Sequence, residues 1–241
     1  MSETMTPETF LEACRVEPAV FELRPDYRAL LLVLDGLTLN ESGEGNSAID
    51  ALVTAAEAHA RDLLAGCLVD ELPHIASWRE AYRAFGAKPQ RTRSSLEALT
   101  RRAEKGLPRV NALTDVYNAI SVLHQIPLGG EDYDRYNGPA QLIRATGEEL
   151  FDTTANGEPV VEHPEPGEVV WCDGMGVTCR RWNWRQGSRT GLTDETRTAF
   201  FILDTLAPAT DEALHAAGNA LAGALTSLGE GVRVWKRLVA A

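Results

Sequence analysis

Two short apolar runs constrain this chain most. ALLLVL at residues 29–34 is bounded by Pro25 and by Asp35-Gly36, and TAFFILDTL at 198–206 is a second such run near the other end. Runs this short, closed by turn residues, suit buried strands better than helices. Val20 to Leu23 reads the same way. Burying such strands needs a real core, and 241 residues with 44% hydrophobic content can build one, as one sizeable domain or two small ones.

Between the runs the period changes. Ile49, Leu52, Val53, Ala56, Leu63 and Leu64 fall mostly on one face of a helix expected over residues 46–65 and stopped by Gly66. Trp78, Tyr82 and Phe85 share one side of a short helix that Gly86 ends. Ser94 and Glu97 form a capping box for a helix reaching about Lys105. Val116, Ala119, Ile120 and Leu123 mark another helix, with Asn111, Asp115 and Asn118 near its start, where Asp115 can answer the helix dipole. The segment 126–145 turns through glycines and prolines into a strand. From Leu150 to Trp182, strand-like runs alternate with the turn signals Asn156-Gly157, Glu165-Pro166-Gly167 and Asp173-Gly174, which predicts an antiparallel meander. An Ala/Leu helix over 209–228, starting near Thr210 or Asp211, and a strand around Val232 to Trp235 close the chain. Helices and strands come in blocks, so the expected class is α+β, as a single globular domain over 1–241.

A net charge of −12 argues against a general positive field for nucleic acid. No DNA partner is expected, and contact with RNA has to be local. Cys14, Cys67, Cys172 and Cys179 are irregularly spaced, with no Cys-x-x-Cys and no histidine pair nearby, so no metal and no other cofactor is expected. With neither a secretion signal nor a bilayer-length apolar stretch, the expectation is a reduced cytoplasmic protein with no membrane partner. The commonest nucleotide, hydrolase and zinc motifs are all missing, and the five histidines are scattered.

Two basic clusters stand out. Arg91, Arg93, Arg101, Arg102, Lys105 and Arg109 put six positive charges into nineteen residues, either as a solvated helix with pairs such as Glu97 to Arg101 or as a track for a phosphate backbone. The second, TCRRWNWRQGSRTGLTDETR at 178–197, holds two tryptophans, five arginines and an asparagine. Arginine forks clamp phosphate or carboxylate, and indoles offer flat faces to a base or an aromatic side chain. Strand alternation places Arg181 and Asn183 on one face and Trp182 and Trp184 on the other. The competing reading puts both tryptophans in the core and pairs the arginines with acids.

The text RVNALTDVYNAISVLHQIPLGGEDYDRYNGPAQLIRATGEELF carries Asn111, Asp115, Asn118, Pro127, Gly138, Arg144, Gly147 and Glu148 in a familiar order. Further on, Asp173, Gly191, Glu195 and Thr196 continue it. Over residues 108–206 the chain resembles the B3/B4 domain, the tRNA-binding editing domain of the phenylalanyl-tRNA synthetase β chain, with the similar region drawn as 75–228. The resemblance implies a single B3/B4-like domain with antiparallel and mixed sheets flanked by helices. It also implies a free-standing protein that binds tRNA or aminoacyl-tRNA and hydrolyses the ester of a mischarged aminoacyl-tRNA. The synthetases place a histidine after the helix-ending proline, where this chain has Pro127-Leu128-Gly129-Gly130, and end their glycine-rich loop in a glutamate, where it has WNWRQGSRT. The candidate catalytic residues are Asn183 and Arg185, orienting the ester, and Asp173 and Thr190, positioning water. The candidate substrate-binding residues are Asn111, Asp115, Asn118, Arg181 and Trp184, and those for RNA are Arg91, Arg93, Arg101, Arg102 and Lys105. A binding module without catalysis, and a hydrolase of free amino-acid esters or amides, are the alternatives.

Overall fold

The computed structural model describes residues 5–38, 43–227, 229 and 231–241. In chain order the elements are α1 (Pro7–Ala13), β1 (Arg15–Val16), α2 (Pro18–Leu23), β2 (Arg28–Asp35), α3 (Gly43–Leu64), α4 (Pro73–Ala84), α5 (Ser95–Arg102), α6 (Ala112–His124), β3 (Leu128–Asp132), β4 (Gln141–Arg144), β5 (Phe151–Ala155), β6 (Glu158–Glu162), β7 (Val169–Cys172), β8 (Val177–Arg180), β9 (Arg185–Gln186), β10 (Thr198–Thr205), α7 (Asp211–Thr226) and β11 (Arg233–Val239). The fold class is α+β, with a four-stranded antiparallel sheet, a five-stranded mixed sheet and a two-stranded antiparallel hairpin flanked by helices.

The two apolar runs are β2 and β10, paired antiparallel from Thr198 opposite Asp35 to Thr205 opposite Arg28. They form the centre of a sheet ordered β11-β2-β10-β3. Both faces of this sheet are covered. Leu30, Leu32, Leu34, Phe201 and Leu203 join α3, α6 and α7 in one core. Their alternates Leu31, Val33, Phe200 and Ile202 join Trp78, Tyr82, Trp171 and Trp182 in another. Successive side chains leave a strand on opposite faces, so a strand buried on both sides reads as a continuous apolar run. The second core is closed by a mixed sheet ordered β1-β4-β7-β8-β9, in which β1 runs parallel to β4.

Local signals set most helix starts. Ser94, Asn111 and Thr210 each accept a hydrogen bond from the backbone N–H three residues on, at 3.3, 2.9 and 3.2 Å. The capping box at Ser94 is half present, because the Glu97 carboxylate turns instead to Arg79 at 2.7 Å and Arg101 at 3.0 Å. The helix expected from residue 46 begins at Gly43. The expected end of the last helix, Leu228, lies outside the described residues.

Several expectations are corrected. Val20 to Leu23 belongs to α2, a helix opened by Pro18, whose fixed φ and missing N–H suit a first turn. The meander is broken up: β5 and β6 form a separate hairpin, with Asn156 and Gly157 at φ 53° and 85° in its turn. The Gly129-Gly130 segment is strand, not turn, and pairs with β10. A Cβ on Gly130 would sit 2.6 Å from the Phe201 ring and 2.9 Å from Leu192, so only glycine lets β3 lie this close. Finally, residues 181–184 form a tight turn with Arg181 and Trp182 left-handed at φ 49° and 68°, and the expected strand alternation is absent.

Candidate functional site

That turn forms part of a cavity. Trp182 is driven into the second core against Tyr27 and Trp78, with ring centroids 5.0 and 5.4 Å away. The Asn183 carbonyl accepts from the Ser95 N–H at 2.8 Å, which ties the turn to the start of α5. Between the two sheets, under α5 and α6, lies a cavity of about 250 Å³. Ser95, Ala98, Trp184, Arg185 and Gln186 form its rim. Deeper, buried Trp171, Trp182, Leu128 and Ile202 give it an apolar wall. Gly129 belongs to the lining, where the Gln186 amide fills the space that a Cβ would need.

Two carboxylates are set in this wall, Glu131 from β3 and Asp204 from β10, with relative exposures of 2% and 3%. Burial pushes Glu131 up to about 7, opposed by hydrogen bonds from the hydroxyls of Tyr136 and Thr190. Burial likewise pushes Asp204 up to about 7, opposed by the Tyr27 hydroxyl at 2.6 Å and the Asn183 amide at 3.3 Å. Hydroxyl, amide and indole donors, rather than an ion pair, are what oppose burial at these two groups. Cys179 also lines the cavity, and burial raises its thiol well above the usual range, so it stays protonated and is a poor nucleophile. A carboxyl near 7 is suited to taking a proton from water at neutral pH.

The B3/4 domain family model matches residues 77–220, more than half of the sequence. This chain belongs to the B3/4 domain family. No curated protein gives a significant match. Among solved structures, the chain is similar to an N-terminal fragment of the phenylalanyl-tRNA synthetase β-subunit from Pyrococcus horikoshii. That similarity stands at 13% identity and a TM-score of 0.47, over 95% of this chain and 54% of the other, so the chain spans about half of that fragment. The B3/4 match starts in α4 and stops in α7, and omits β2, β11 and Tyr27.

Of the sequence-derived candidates, the B3/4 fold brings Asn118, Asn183, Trp184 and Arg185 into the cavity lining. Asn183 bonds through both ends of its amide, the oxygen accepting from the Tyr82 hydroxyl at 3.0 Å while one N–H donates to Asp204, which leaves its second N–H for a ligand. Arg185 is half-exposed and donates to the Thr154 carbonyl at 3.1 Å. Thr190 stands behind Glu131 and donates to it at 3.2 Å. The others lie elsewhere. Asp173 is spent on backbone N–H groups of Asn137, Met175 and Gly176 and on the Arg189 guanidinium. Asn111 caps α6, and Asp115 holds Arg109 at 2.8 Å and the Val110 N–H. Arg181 lies 4.4 Å over the Trp184 ring and 3.5 Å from Glu168.

In the first basic cluster, Arg93 and Arg101 face Glu97, while Arg91, Arg102 and Lys105 are exposed. Residues 95, 98, 99 and 102 share one helical face at spacings of three, four and seven, so Arg102 continues the face of α5 that walls the cavity. Glu131 and Asp204 escaped the sequence reading. The signal for Asp204 was present, as an acid inside an otherwise apolar strand.

Proposed function

We propose that this B3/4 protein is an aminoacyl-tRNA deacylase acting in trans, whose cavity takes the aminoacyl group while Arg102 and Arg185 meet the phosphates of the acceptor end. The single observation that carries this reading is the cavity itself, with Glu131 and Asp204 near 7 in its wall and Arg185 at its rim. In this mechanism Glu131 takes a proton from water as the water adds to the ester carbonyl, then returns it to the departing ribose oxygen. Thr190 orients Glu131, and Asn183 and Arg185 orient the ester. Ester hydrolysis needs no protein nucleophile when water is held in a preorganised polar site.

The test is incubation with a panel of correctly and wrongly charged tRNAs, beginning with tyrosine on the phenylalanine tRNA and following ester loss at low salt. Selective loss that disappears in Glu131→Gln is the expected result. Intact esters across the whole panel would remove the reading. A binding module without turnover is the second reading, favoured because no histidine lines the cavity. It predicts tRNA binding without ester loss.

A further inference from the structure

Asp204 and Glu131 share the cavity wall with Trp171, Trp182, Trp184 and Tyr117, and the cationic side chain of the lining, Arg185, is turned to Thr154 and Glu162 rather than to either acid. The five arginines of the 178–197 segment make their contacts away from these two acids. Arg180 and Arg181 go to Glu168, Arg185 to Thr154 and Glu162, Arg189 to Asp173, and Arg197 to the carbonyls of Asp194 and Thr196. A buried carboxylate without a partner is costly, and such groups are ordinarily paired or neutralised. Here hydroxyl and amide donors and a shared tendency to hold a proton near pH 7 take the place of an ion pair, and the space beside the two carboxyls is open.

We infer that the cavity is an ammonium site: Asp204 holds the cationic amine of the ligand, with the indoles of Trp171 and Trp182 beside it. Aromatic rings attract cations through their quadrupoles, most strongly where water is excluded, and a carboxylate adds direct charge. A second observation points to what else the ligand carries. The indole N–H groups of Trp171 and Trp182 turn towards Asp204 and the Tyr27 hydroxyl, but the Ser95 hydroxyl, which lines the cavity, is buried without a hydrogen-bond partner, so the site offers a donor to an acceptor such as a carbonyl oxygen. Ammonium and carbonyl together describe an amino-acid derivative with a free amine. The amine is either the α-ammonium or an amine on the side chain. This names the ligand class of the site proposed above and rests on that site being the binding cavity.

Calorimetry with the full chain near pH 7 tests it without RNA. L-phenylalaninamide presents an α-amine, Nα-acetyl-L-lysinamide a side-chain amine, and N-acetyl-L-phenylalaninamide is neutral. At least one of the two amines is expected to bind about tenfold or more tightly than the neutral ligand, and Asp204→Asn to erase the difference. The tighter amine identifies the source of the ammonium. Equal affinity for the neutral ligand, or no binding by either amine, overturns the inference. If Asp204→Asn does not fold, the comparison among the three ligands on the unaltered protein still decides. Deacylation of tRNA that ignores N-acetylation of the amino acid would sink the ammonium site and spare the deacylase. Asp204-dependent amine binding with no ester loss on any tRNA would do the reverse.

Discussion

At the scale of single residues, Glu131 links the cavity to stability. Its carboxyl rises from 4.5 to about 7 on folding, so between those values the folded protein keeps a proton that the unfolded chain has lost. That contribution is complete below the unfolded value and gone once pH climbs past the folded one. Glu131→Gln cannot ionise, and the hydroxyls of Tyr136 and Thr190 can still bond its amide. The variant is expected to match the parent near pH 4.5 and to exceed it at pH 8 by on the order of 3 kcal/mol, read from urea midpoints at the two pH values. Trp182 sits in core and cavity wall at once, fully buried against Tyr27 and Trp78. Trp182→Ala is expected to cost about 3–5 kcal/mol in the same measurement. A loss below about 1 kcal/mol would mean that the ring is dispensable to the core.

At the scale of elements, α5 serves two purposes on opposite faces. One face carries Ser95, Ala98 and Leu99 into the cavity wall and continues to Arg102; the other turns the buried Glu97 towards Arg79, Arg93 and Arg101. Arg102→Ala is therefore expected to weaken tRNA binding several-fold and to reduce its salt dependence by about one counterion, with an unchanged melting temperature. Arg101→Ala is expected to leave binding nearly intact, because its guanidinium is already held by Glu97; filter binding across a salt series separates the two. What the sequence revealed divides along the same line. The cap at Ser94 and the helix starts near Asn111 and Thr210 were readable, because a helix start depends on a side chain and a backbone three residues apart, although Asn111 reads in sequence as a substrate-binding residue rather than as the cap it is. The strand at Gly129-Gly130 was not, because its logic lies in Phe201 and Leu192, more than sixty residues away. Nor was the turn at 181–184, where burial of the Trp182 ring outweighs the cost of a left-handed backbone.

At the scale of the whole molecule, segments distant in sequence complete one another. The B3/4 match at 77–220 contains β10 and β3 but neither β2 nor β11, half of their sheet. A fragment cut to those limits would expose both the free edge of β10 and the apolar face that β2 covers, and would leave Asp204 without the Tyr27 hydroxyl. Such a fragment is expected to lack a cooperative thermal transition by circular dichroism, whereas the full chain has one. The same dispersion explains why Asn183, Trp184 and Arg185 were singled out from a conspicuous segment while Glu131 gave no signal and Asp204 gave only that of an acid inside an apolar strand. The acids matter through burial, and burial is set by strands drawn from both ends of the chain. The tryptophans add a practical consequence. Three of the five, Trp171, Trp182 and Trp184, line the cavity, and a fourth, Trp78, packs on Trp182. The protein's ultraviolet emission thus originates mostly at the cavity, and a molecule entering it announces itself as a change in colour or brightness, without any attached dye.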